Sequence, residues 1–297
     1  MNIVFGKNGF VGSNLEMDCL APNKKECNLL KYNSVKKYLS KFKNKEITII
    51  NLAAKVAGVI YNKNHNVEMV YENTLMSLNL IKAIKELNIK CYYLTISSVC
   101  AYDSNYEIDE NNLFNSVPQN SNFGYGISKR ISFFSARALE LDDPNFKFGC
   151  LIPTNMYGPN DEIDLKYAHV IPSLFIKILD KNNKNLEVYG NCLAERNFLY
   201  VKDLCNSIEF FAENKIEGYF NISSDEQISI KDLTEKIKKT TNSKKDINYS
   251  YTGEFEKRKV KNQKIKDLYL KFNSKLVFTT LDDGLKNTFN WIKNLNK

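Results

Sequence analysis

Residues 2–12 read NIVFGKNGFVG and decide the fold of this chain. Asn2–Phe5 has the apolar character of a short buried strand, and a helix is predicted to begin near Phe10. Three glycines follow the strand in the pattern G-x-x-G-x-x-G: Gly6, Gly9 and Gly12. Glycine permits a tight turn and a close approach of the backbone to a pyrophosphate, which the N-terminus of a helix also attracts. The stretch therefore predicts a dinucleotide site at the end of the first strand.

The rest of the first half alternates buried strands with helices. Apolar runs at Ile47–Ala53, Cys91–Ile96 and Phe148–Ile152 predict three more strands. Between them, Val67–Leu87 and Tyr125–Leu141 have the residue spacing of helices. This alternation is typical of βαβ units, so we expect an α/β fold with a doubly wound parallel sheet.

The second half keeps this pattern after an insertion rich in turn residues, Met156–Leu165. Two further strand–helix pairs are predicted: Leu186–Tyr189 with Val201–Glu213, and Tyr219–Ile222 with Ser229–Lys239. Ser229 is expected to be the N-cap of the last helix. We expect two intertwined domains. A dinucleotide-binding domain takes residues 1–155 plus about 187–229, and a smaller substrate-binding lobe takes about 156–186 plus 230–297.

Composition excludes several classes of protein. With 297 residues, 43% of them apolar and 26% charged, the chain can bury a large core and is not disordered. The net charge of +8 is spread along the chain without a basic arm, so we expect no nucleic-acid partner. The start MNIVFGKNG lacks the charged region of a signal peptide, and the longest apolar stretch, Ile47–Tyr61, is too short to span a membrane.

The seven cysteines have no C-x-x-C spacing. The sequence therefore predicts no disulfide framework and no metal site, and a cytoplasmic location is the simplest interpretation.

Tyr125 and Lys129 form Y-x-x-x-K at the start of a predicted helix, which places both side chains on one face. We expect the ammonium to lower the pKa of Tyr125, so that the phenol exchanges a proton with a carbonyl or alcohol oxygen. Ser98 follows the third strand, at the edge where parallel sheets bind ligands, and could donate a hydrogen bond to the same oxygen.

Together these residues resemble the extended short-chain dehydrogenase/reductases, which act mostly on nucleotide sugars. Within that family the chain is similar to the GDP-L-fucose synthase branch, collinearly from residue 1 to about 235. The segments that carry this second resemblance are Asn51–Gly58 (NLAAKVAG), Val70–Asn79 (VYENTLMSLN), Ser98–Tyr102 (SVCAY), Pro153–Asp161 (PTNMYGPND), His169–Pro172 (HVIP) and Arg196–Asp203 (RNFLYVKD).

The resemblance implies a role for particular residues. Ser98, Tyr125 and Lys129 would carry out reduction, and Cys100 and His169 would be the acid/base pair of an epimerisation. The implied cofactor-binding residues are Gly6, Gly9, Phe10, Val11, Gly12, Leu52, Ala53, Ala54, Tyr125, Lys129 and Pro153. The implied substrate-binding residues are Asn155, Val170, Lys177 and Arg196. A homodimer through the helices Val67–Leu87 and Tyr125–Leu141 is also implied, although their apolar faces could equally be core.

Other interpretations of two of these residues stay open. Free cysteines are usually small buried apolar residues, and Cys100 could be one of them. His169 precedes a predicted helix and could cap it.

The cofactor is expected to be NADP(H), with NAD(H) as the alternative. The acidic residue that usually binds the adenosine ribose is not evident about 20 residues after the glycine turn. Lys24 and Lys25 stand there instead and could hold a 2′-phosphate, or could form a solvated turn.

After about residue 240 the resemblance weakens, and a basic segment, Glu256–Lys266 (EKRKVKNQKIK), could fold over a phosphate or face solvent.

The expected activity is NADP(H)-dependent reduction, with 3,5-epimerisation, of a nucleotide-linked 4-keto-6-deoxy sugar. The substrate would be a GDP-linked hexose or heptose, and the product would serve surface polysaccharide synthesis. The alternatives are a reductase without epimerase activity and an NAD-dependent nucleotide-sugar 4-epimerase. From a different class, a non-catalytic dinucleotide-binding protein would keep the fold but tend to lose the Tyr125 and Lys129 pair, which is present here.

Overall fold

A computed structural model describes residues 1–103, 107–115, 117–252 and 259–295, with the side chains of residues 59 and 60 left out. The strands are β1 (Asn2–Phe5), β2 (Ile47–Asn51), β3 (Cys91–Ile96), β4 (Lys147–Pro153), β5 (Asn155–Tyr157), β6 (Asn185–Val188), β7 (Glu195–Tyr200), β8 (Gly218–Ile222), β9 (Gln227–Ser229) and β10 (Asp246–Tyr249). The helices are α1 (Phe10–Asn14), α2 (Tyr32–Leu39), α3 (Val59–Asn64), α4 (Asn66–Leu87), α5 (Phe123–Asp142), α6 (Val170–Leu179), α7 (Val201–Asn214), α8 (Ile230–Thr241), α9 (Gln263–Lys271) and α10 (Leu281–Leu295). Within these ranges no helix has the length and apolarity needed to cross a lipid bilayer.

A five-stranded parallel sheet in the order β1-β2-β3-β4-β8 forms the centre of the molecule. On the far side of β1, a single parallel bridge joins Ile3 to Leu20. The chain thus pairs first on one side of β1 and then on the other, which makes the carboxyl ends of β1 and β2 a topological switch point. The predicted doubly wound parallel sheet is confirmed.

Both faces of this sheet are covered. In β1, Ile3 and Phe5 pack into one apolar cluster with α2, α4 and α5, and Val4 packs into another with α7 and α9. The alternation follows from the period of two residues in a strand. Because helices lie on both faces, the strands contain nearly continuous apolar runs, and the run Cys91–Ile96 predicts β3 to the residue.

The strand predicted at Ile47–Ala53 ends two residues early, at Asn51. The side chain of Asn51 turns the backbone, because its Oδ1 accepts a hydrogen bond from the N–H of Ala53 at 3.2 Å. Its Nδ2 donates to the hydroxyl of Tyr93 at 3.0 Å, which holds the turn against the sheet.

A third apolar cluster lies in a small lobe that contains β5, β6, β7, β9, β10, α6, α8 and α10. Ser229 caps α8 as predicted, since its Oγ accepts from the N–H of Asp232 at 3.0 Å. Leu186 and Val188 pack in this small lobe, whereas Ile265 and Tyr269 pack against the sheet. The predicted domain boundaries stay a prediction, and this packing favours assigning α9 to the dinucleotide-binding domain.

The glycine turn brings backbone segments closer together than any side chain would allow. Gly6 has φ +85°, and a Cβ there would lie 2.6 Å from the nitrogen of Ala53. A Cβ on Gly12 would lie 2.5 Å from Cα of Lys7. Helix α1 begins at Phe10 as expected but ends after five residues, where the ammonium of Lys7 donates to the carbonyl oxygens of Gly12 and Leu15, each at 2.8 Å.

We expect Gly12→Ala to lower the free energy of unfolding by roughly 1–3 kcal/mol, because the backbone must move to admit the methyl group. The matched control is Gly9→Ala in the same turn, where the added Cβ meets its nearest atom, the oxygen of Gly6, at 3.3 Å. Urea denaturation of both variants and the wild type measures the difference. Equal unfolding midpoints for the two variants would show that this close approach is not the constraint.

Candidate active site

A cleft of about 1720 Å³ opens between the carboxyl edge of the sheet and the small lobe. Residues that follow four successive strands line its sheet side: Gly6 after β1, Leu52 and Ala54 after β2, Ser98 and Cys100 after β3, and Thr154 and Asn155 after β4. Residues of the small lobe line the other side, among them His169, Arg196 and Trp291. This is the edge at which doubly wound sheets bind their ligands.

Most of the predicted cofactor-binding residues lie in the cleft wall: Gly6, Gly9, Phe10, Val11, Gly12, Leu52, Ala54 and Tyr125. Ala53, Lys129 and Pro153 lie behind this wall: Ala53 packs against Gly6, and Pro153 is the buried last residue of β4. The residues present fit a dinucleotide, because the absent side chains of Gly6 and Gly12 let the turn fold tightly against Ala53 and Lys7, which leaves its backbone in the cleft wall at the start of α1.

Ser98 and Cys100 are held together by a short turn after β3. The Oγ of Ser98 accepts a hydrogen bond from the N–H of Cys100 at 3.1 Å. Arg130 of α5 fixes the same turn by donating from Nε to the carbonyl oxygen of Ala101 at 2.7 Å. Gly126 permits the close approach of α5, because a Cβ there would overlap the carbonyl oxygen of Cys100. Cys100 is half-buried in the cleft wall, unlike the buried cysteines of the apolar clusters.

Tyr125 and Lys129 share one face of α5, as the spacing predicts. The ammonium of Lys129 donates to the carbonyl oxygen of Ile96 at 2.9 Å and lies 5.4 Å from the ring centroid of Tyr125. Burial lowers the pKa of Lys129 to about 8. Burial, and to a smaller extent the charge of Cys100, raises the pKa of Tyr125. The expectation of a lowered Tyr125 pKa is therefore wrong, because loss of hydration outweighs attraction by an ammonium that is bound to Ile96.

His169 immediately precedes α6 but makes no side-chain capping hydrogen bond to that helix. Its Nδ1 lies 3.3 Å from Oδ1 of Asp161, a buried carboxylate. Burial by itself lowers the pKa of His169, but the hydrogen bond and charge of Asp161 and the charge of Glu162 outweigh it and raise the pKa.

The predicted substrate-binding residues do not all meet. Asn155, Val170 and Arg196 line the cleft, and Nδ2 of Asn155 donates to the carbonyl oxygen of Asn197 at 3.1 Å. Lys177 instead lies in a neighbouring pocket of about 810 Å³, with Nζ 4.9 Å from the ring centroid of Tyr189. The reason is helix geometry: Lys177 is seven positions after Val170, which places the two residues about 10 Å apart along α6.

Two cleft residues, Asp161 and Asn62, were not identified as functional candidates from the sequence. Asp161 belongs to the quoted segment PTNMYGPND, but an irregular loop separates it from His169, so spacing does not predict their contact. Asn62 of α3 donates from Nδ2 to Oδ1 of Asn122 at 3.0 Å, and its own buried Oδ1 has no partner among the described residues. In a chain rich in asparagine, Asn62 carries no signal in the sequence.

The basic segment Glu256–Lys266 is described only from Lys259 onward, and residues 256–258 lie outside the described residues. Lys261 forms ion pairs with Glu107 and Asp109, with Nζ–carboxylate distances of 2.7 and 3.3 Å. Lys266 pairs with Asp225 at 2.5 Å. These two lysines are therefore paired with carboxylates of the protein itself. In the described ranges, no group of three or more His, Cys, Asp or Glu side chains could hold a metal ion.

Comparison with known proteins agrees with this geometry. Residues 3–223 match the model of the NAD dependent epimerase/dehydratase family. A GDP-L-fucose synthase of Dictyostelium discoideum is 29% identical over 308 aligned positions, which cover 97% of this chain and 94% of that protein.

Two solved structures have the same fold. A GDP-L-fucose synthetase from Naegleria fowleri bound to NADP has a TM-score of 0.84 at 22% identity, covering 100% of this chain and 93% of that one. A GDP-6-OMe-4-keto-L-xylo-heptose reductase from C. jejuni has a TM-score of 0.85 at 19% identity, covering 99% and 98%. Since the family model spans well over half of its length, the chain belongs to the NAD dependent epimerase/dehydratase family, with the extended short-chain dehydrogenase/reductase fold that its sequence predicts.

Proposed function

We propose that the protein reduces a nucleotide-linked 4-keto-6-deoxy sugar at C4 with NADP(H), after epimerising it at C3 and C5. One observation carries the proposal: a single cleft brings Ser98, Tyr125, Cys100 and His169 together beside the glycine turn. GDP is proposed as the nucleotide because the relative that matches 97% of the chain is a GDP-L-fucose synthase. The sugar is a hexose or a heptose, and its product serves surface polysaccharide synthesis.

For reduction, the C4 carbonyl oxygen needs hydrogen-bond donors and a proton. Ser98 and Tyr125 supply the donors from adjacent parts of the cleft wall. The raised pKa of Tyr125 keeps the phenol protonated near neutral pH, so that it gives its proton to the developing alkoxide. Lys129, behind Tyr125, stabilises the phenolate that remains. A bound nicotinamide supplies the hydride.

For epimerisation, the same carbonyl acidifies the protons on C3 and C5, since donors at its oxygen stabilise the enolate. One group must remove a proton and another must return it on the opposite face of the sugar. Cys100 lies on the sheet side of the cleft and His169 on the side of the small lobe. Side chains on two different walls support these two roles.

NADP(H) is proposed as the cofactor because Lys24 and Lys25 are exposed on the turn that follows Leu20, the residue beside β1. The oxygen Oδ1 of Asn23 accepts from the N–H of Lys25 at 2.8 Å and shapes this turn. NAD(H) stays the alternative.

A homodimer through α4 and α5 is part of the proposal. Apolar side chains are exposed on both helices, among them Val67 at 83% and Leu141 at 70%. A cytoplasmic location is also part of it, because all seven cysteines are free thiols.

Wild-type protein is expected to oxidise NADPH when it is given a GDP-linked 4-keto-6-deoxy sugar, and Tyr125→Phe should lower that rate by roughly 100-fold or more. The experiment follows NADPH absorbance over a panel of nucleotide-linked 4-keto sugars, with NADH in parallel and products identified by NMR. Tyr32→Phe, in helix α2 and outside the cleft wall, is the control and should retain full activity. Wild-type protein that oxidises NADPH with no member of the panel would refute the proposed function.

Cys100→Ala should abolish incorporation of solvent deuterium at C3 and C5, because it removes one of the two proton-transfer groups. The matched control is Cys19→Ala, since Cys19 is likewise half-buried but lies outside the cleft wall. Mass spectrometry and NMR of the recovered sugar measure the label. Deuterium incorporation at the wild-type rate in Cys100→Ala would show that another residue transfers the proton. A wild-type protein that reduces the keto sugar without incorporating deuterium would be a reductase without epimerase activity.

Lys129→Met should raise the free energy of unfolding at pH 7 while abolishing reduction. The folded protein holds the Lys129 proton with a pKa of about 8 against an ordinary 10.5, so the charged lysine costs stability below pH 8. That cost disappears as the pH rises from 8 to 10.5, where the unfolded chain binds more protons than the folded one. We expect a gain of roughly 1–3 kcal/mol at pH 7 that vanishes near pH 10.5.

Urea denaturation at pH 7, 9 and 10.5 tests this expectation. The exposed Lys293, replaced by methionine in α10, is the control and should show no such pH-dependent gain. A Lys129→Met variant that is less stable than wild type at pH 7 would show that burial of this ammonium carries no net cost.

A further inference from the structure

Asp161 is a buried carboxylate that the proposed chemistry does not yet use. It is 5% exposed, lines the cleft and lies in the loop between β5 and α6. Its Oδ1 accepts from the N–H of Glu162 at 2.8 Å and lies 3.3 Å from Nδ1 of His169. Its Oδ2 is also buried and has no hydrogen-bond partner among the described residues. Such a group is costly to bury, which indicates a use at this site.

The contact determines which nitrogen of His169 carries the proton. An ionised carboxylate only accepts hydrogen bonds, so Nδ1 of the neutral imidazole must be the donor to Asp161. The lone pair is then on Nε2, the nitrogen that remains free to exchange a proton with a ligand.

The loop that carries both residues is bound to the sheet side of the cleft at two points. Nδ2 of Asn14, at the end of α1, donates to the carbonyl oxygen of Pro159 at 2.8 Å. The N–H of Gly58 donates to the carbonyl oxygen of Tyr167 at 3.0 Å. Asp161 and His169 therefore each lie two residues after a point at which the loop is bound to the sheet side of the cleft.

Other titratable groups surround His169. Within its own loop these are Glu162, which is exposed, and Tyr167. The other walls of the same cleft contribute Lys63, Cys100, Asp103, Tyr125, Tyr189 and Arg196. Asp161 is the carboxylate within hydrogen-bond distance of the imidazole, and together with Glu162 it raises the pKa of His169.

We propose that Asp161 is a positioning residue that fixes the Nδ1–H tautomer of His169, so that Nε2 exchanges a proton with C3 or C5 of the sugar. When Nε2 takes the proton, the C–H bond breaks, its electron pair enters the enolate, and the Asp161 carboxylate balances the imidazolium. The Cys100 thiol protonates the opposite face of the enolate carbon, which inverts that centre, and transfer of the Nε2 proton through solvent to the resulting thiolate restores the neutral Nδ1–H tautomer. The catalytic role rests on the proposed function, whereas the pairing itself is measurable without any substrate.

Histidine NMR tests the pairing directly, because the chain contains only His65 and His169. In protein labelled with [15N]histidine, His65→Gln assigns the two rings, and pH titration gives a midpoint for each. Wild-type His169 should be the Nδ1–H tautomer. Asp161→Asn should lower its midpoint by roughly 1–3 pH units, because the carboxylate is lost while the burial stays. Glu162→Gln removes the same charge one residue away and should cause a smaller shift.

His65 should keep its midpoint in both variants. A His169 midpoint in Asp161→Asn no lower than in Glu162→Gln overturns the proposal. If Asp161→Asn does not fold, the wild type decides alone, since an Nε2–H tautomer of His169 would also overturn it.

Deuterium incorporation at C3 and C5 tests the catalytic role. The pH dependence of the incorporation rate should show a midpoint that reports His169. In Asp161→Asn this midpoint should shift by as much as the NMR midpoint, and the Kd for NADPH should be unchanged. An unmoved profile despite a shifted midpoint overturns the positioning role. A wild type that incorporates no deuterium refutes the proposed epimerisation and with it this role, whereas the NMR result still decides the pairing.

Discussion

Two backbone segments meet where the chain leaves β1 and β2, and the site depends on how closely they approach. Because Gly6 has no side chain, the backbone of Ala53 can pack directly against it. The position of Ala53 depends in turn on Asn51, which binds its N–H and is itself bound by the buried hydroxyl of Tyr93. A buried polar contact inside the sheet thus fixes the path of the chain after β2, where Ala53 packs against the glycine turn.

Burial sets the chemistry at the floor of this cleft. Apolar packing around α5 removes water from both Tyr125 and Lys129, which favours the neutral form of each. The phenol of Tyr125 stays protonated near neutral pH and can donate its proton. The amine of Lys129, with a pKa of about 8, can also exchange a proton near neutral pH. Burial of the charged Lys129 in α5 therefore lowers the free energy of unfolding. The apolar clusters on either face of the sheet offset this loss.

The elements that could be predicted from sequence are those set by local pattern. Strand β3 is a continuous apolar run and was predicted to the residue, and the Ser229 cap follows from its side-chain chemistry. The end of β2 could not be predicted, because it depends on the contact of Asn51 with a tyrosine 42 positions away. The pKa of Tyr125 was predicted in the wrong direction, because the spacing of four residues carries no information on hydration. Lys177 was predicted to bind substrate from the resemblance in sequence. Its position two helical turns after Val170 instead places it in a different pocket.

The two proton-transfer candidates reach the cleft by independent routes, one set by local sequence and the other by contacts between residues far apart in the chain. Cys100 lies two residues after Ser98 in a turn that α5 holds through Arg130, so local sequence defines its place. His169 comes from an irregular loop whose position depends on Asn14 and Gly58, two residues far away in sequence. Asn14 also ends the helix that follows the glycine turn. A single amide therefore joins the turn that would hold the cofactor to the loop that holds His169, so displacement of one would be transmitted to the other.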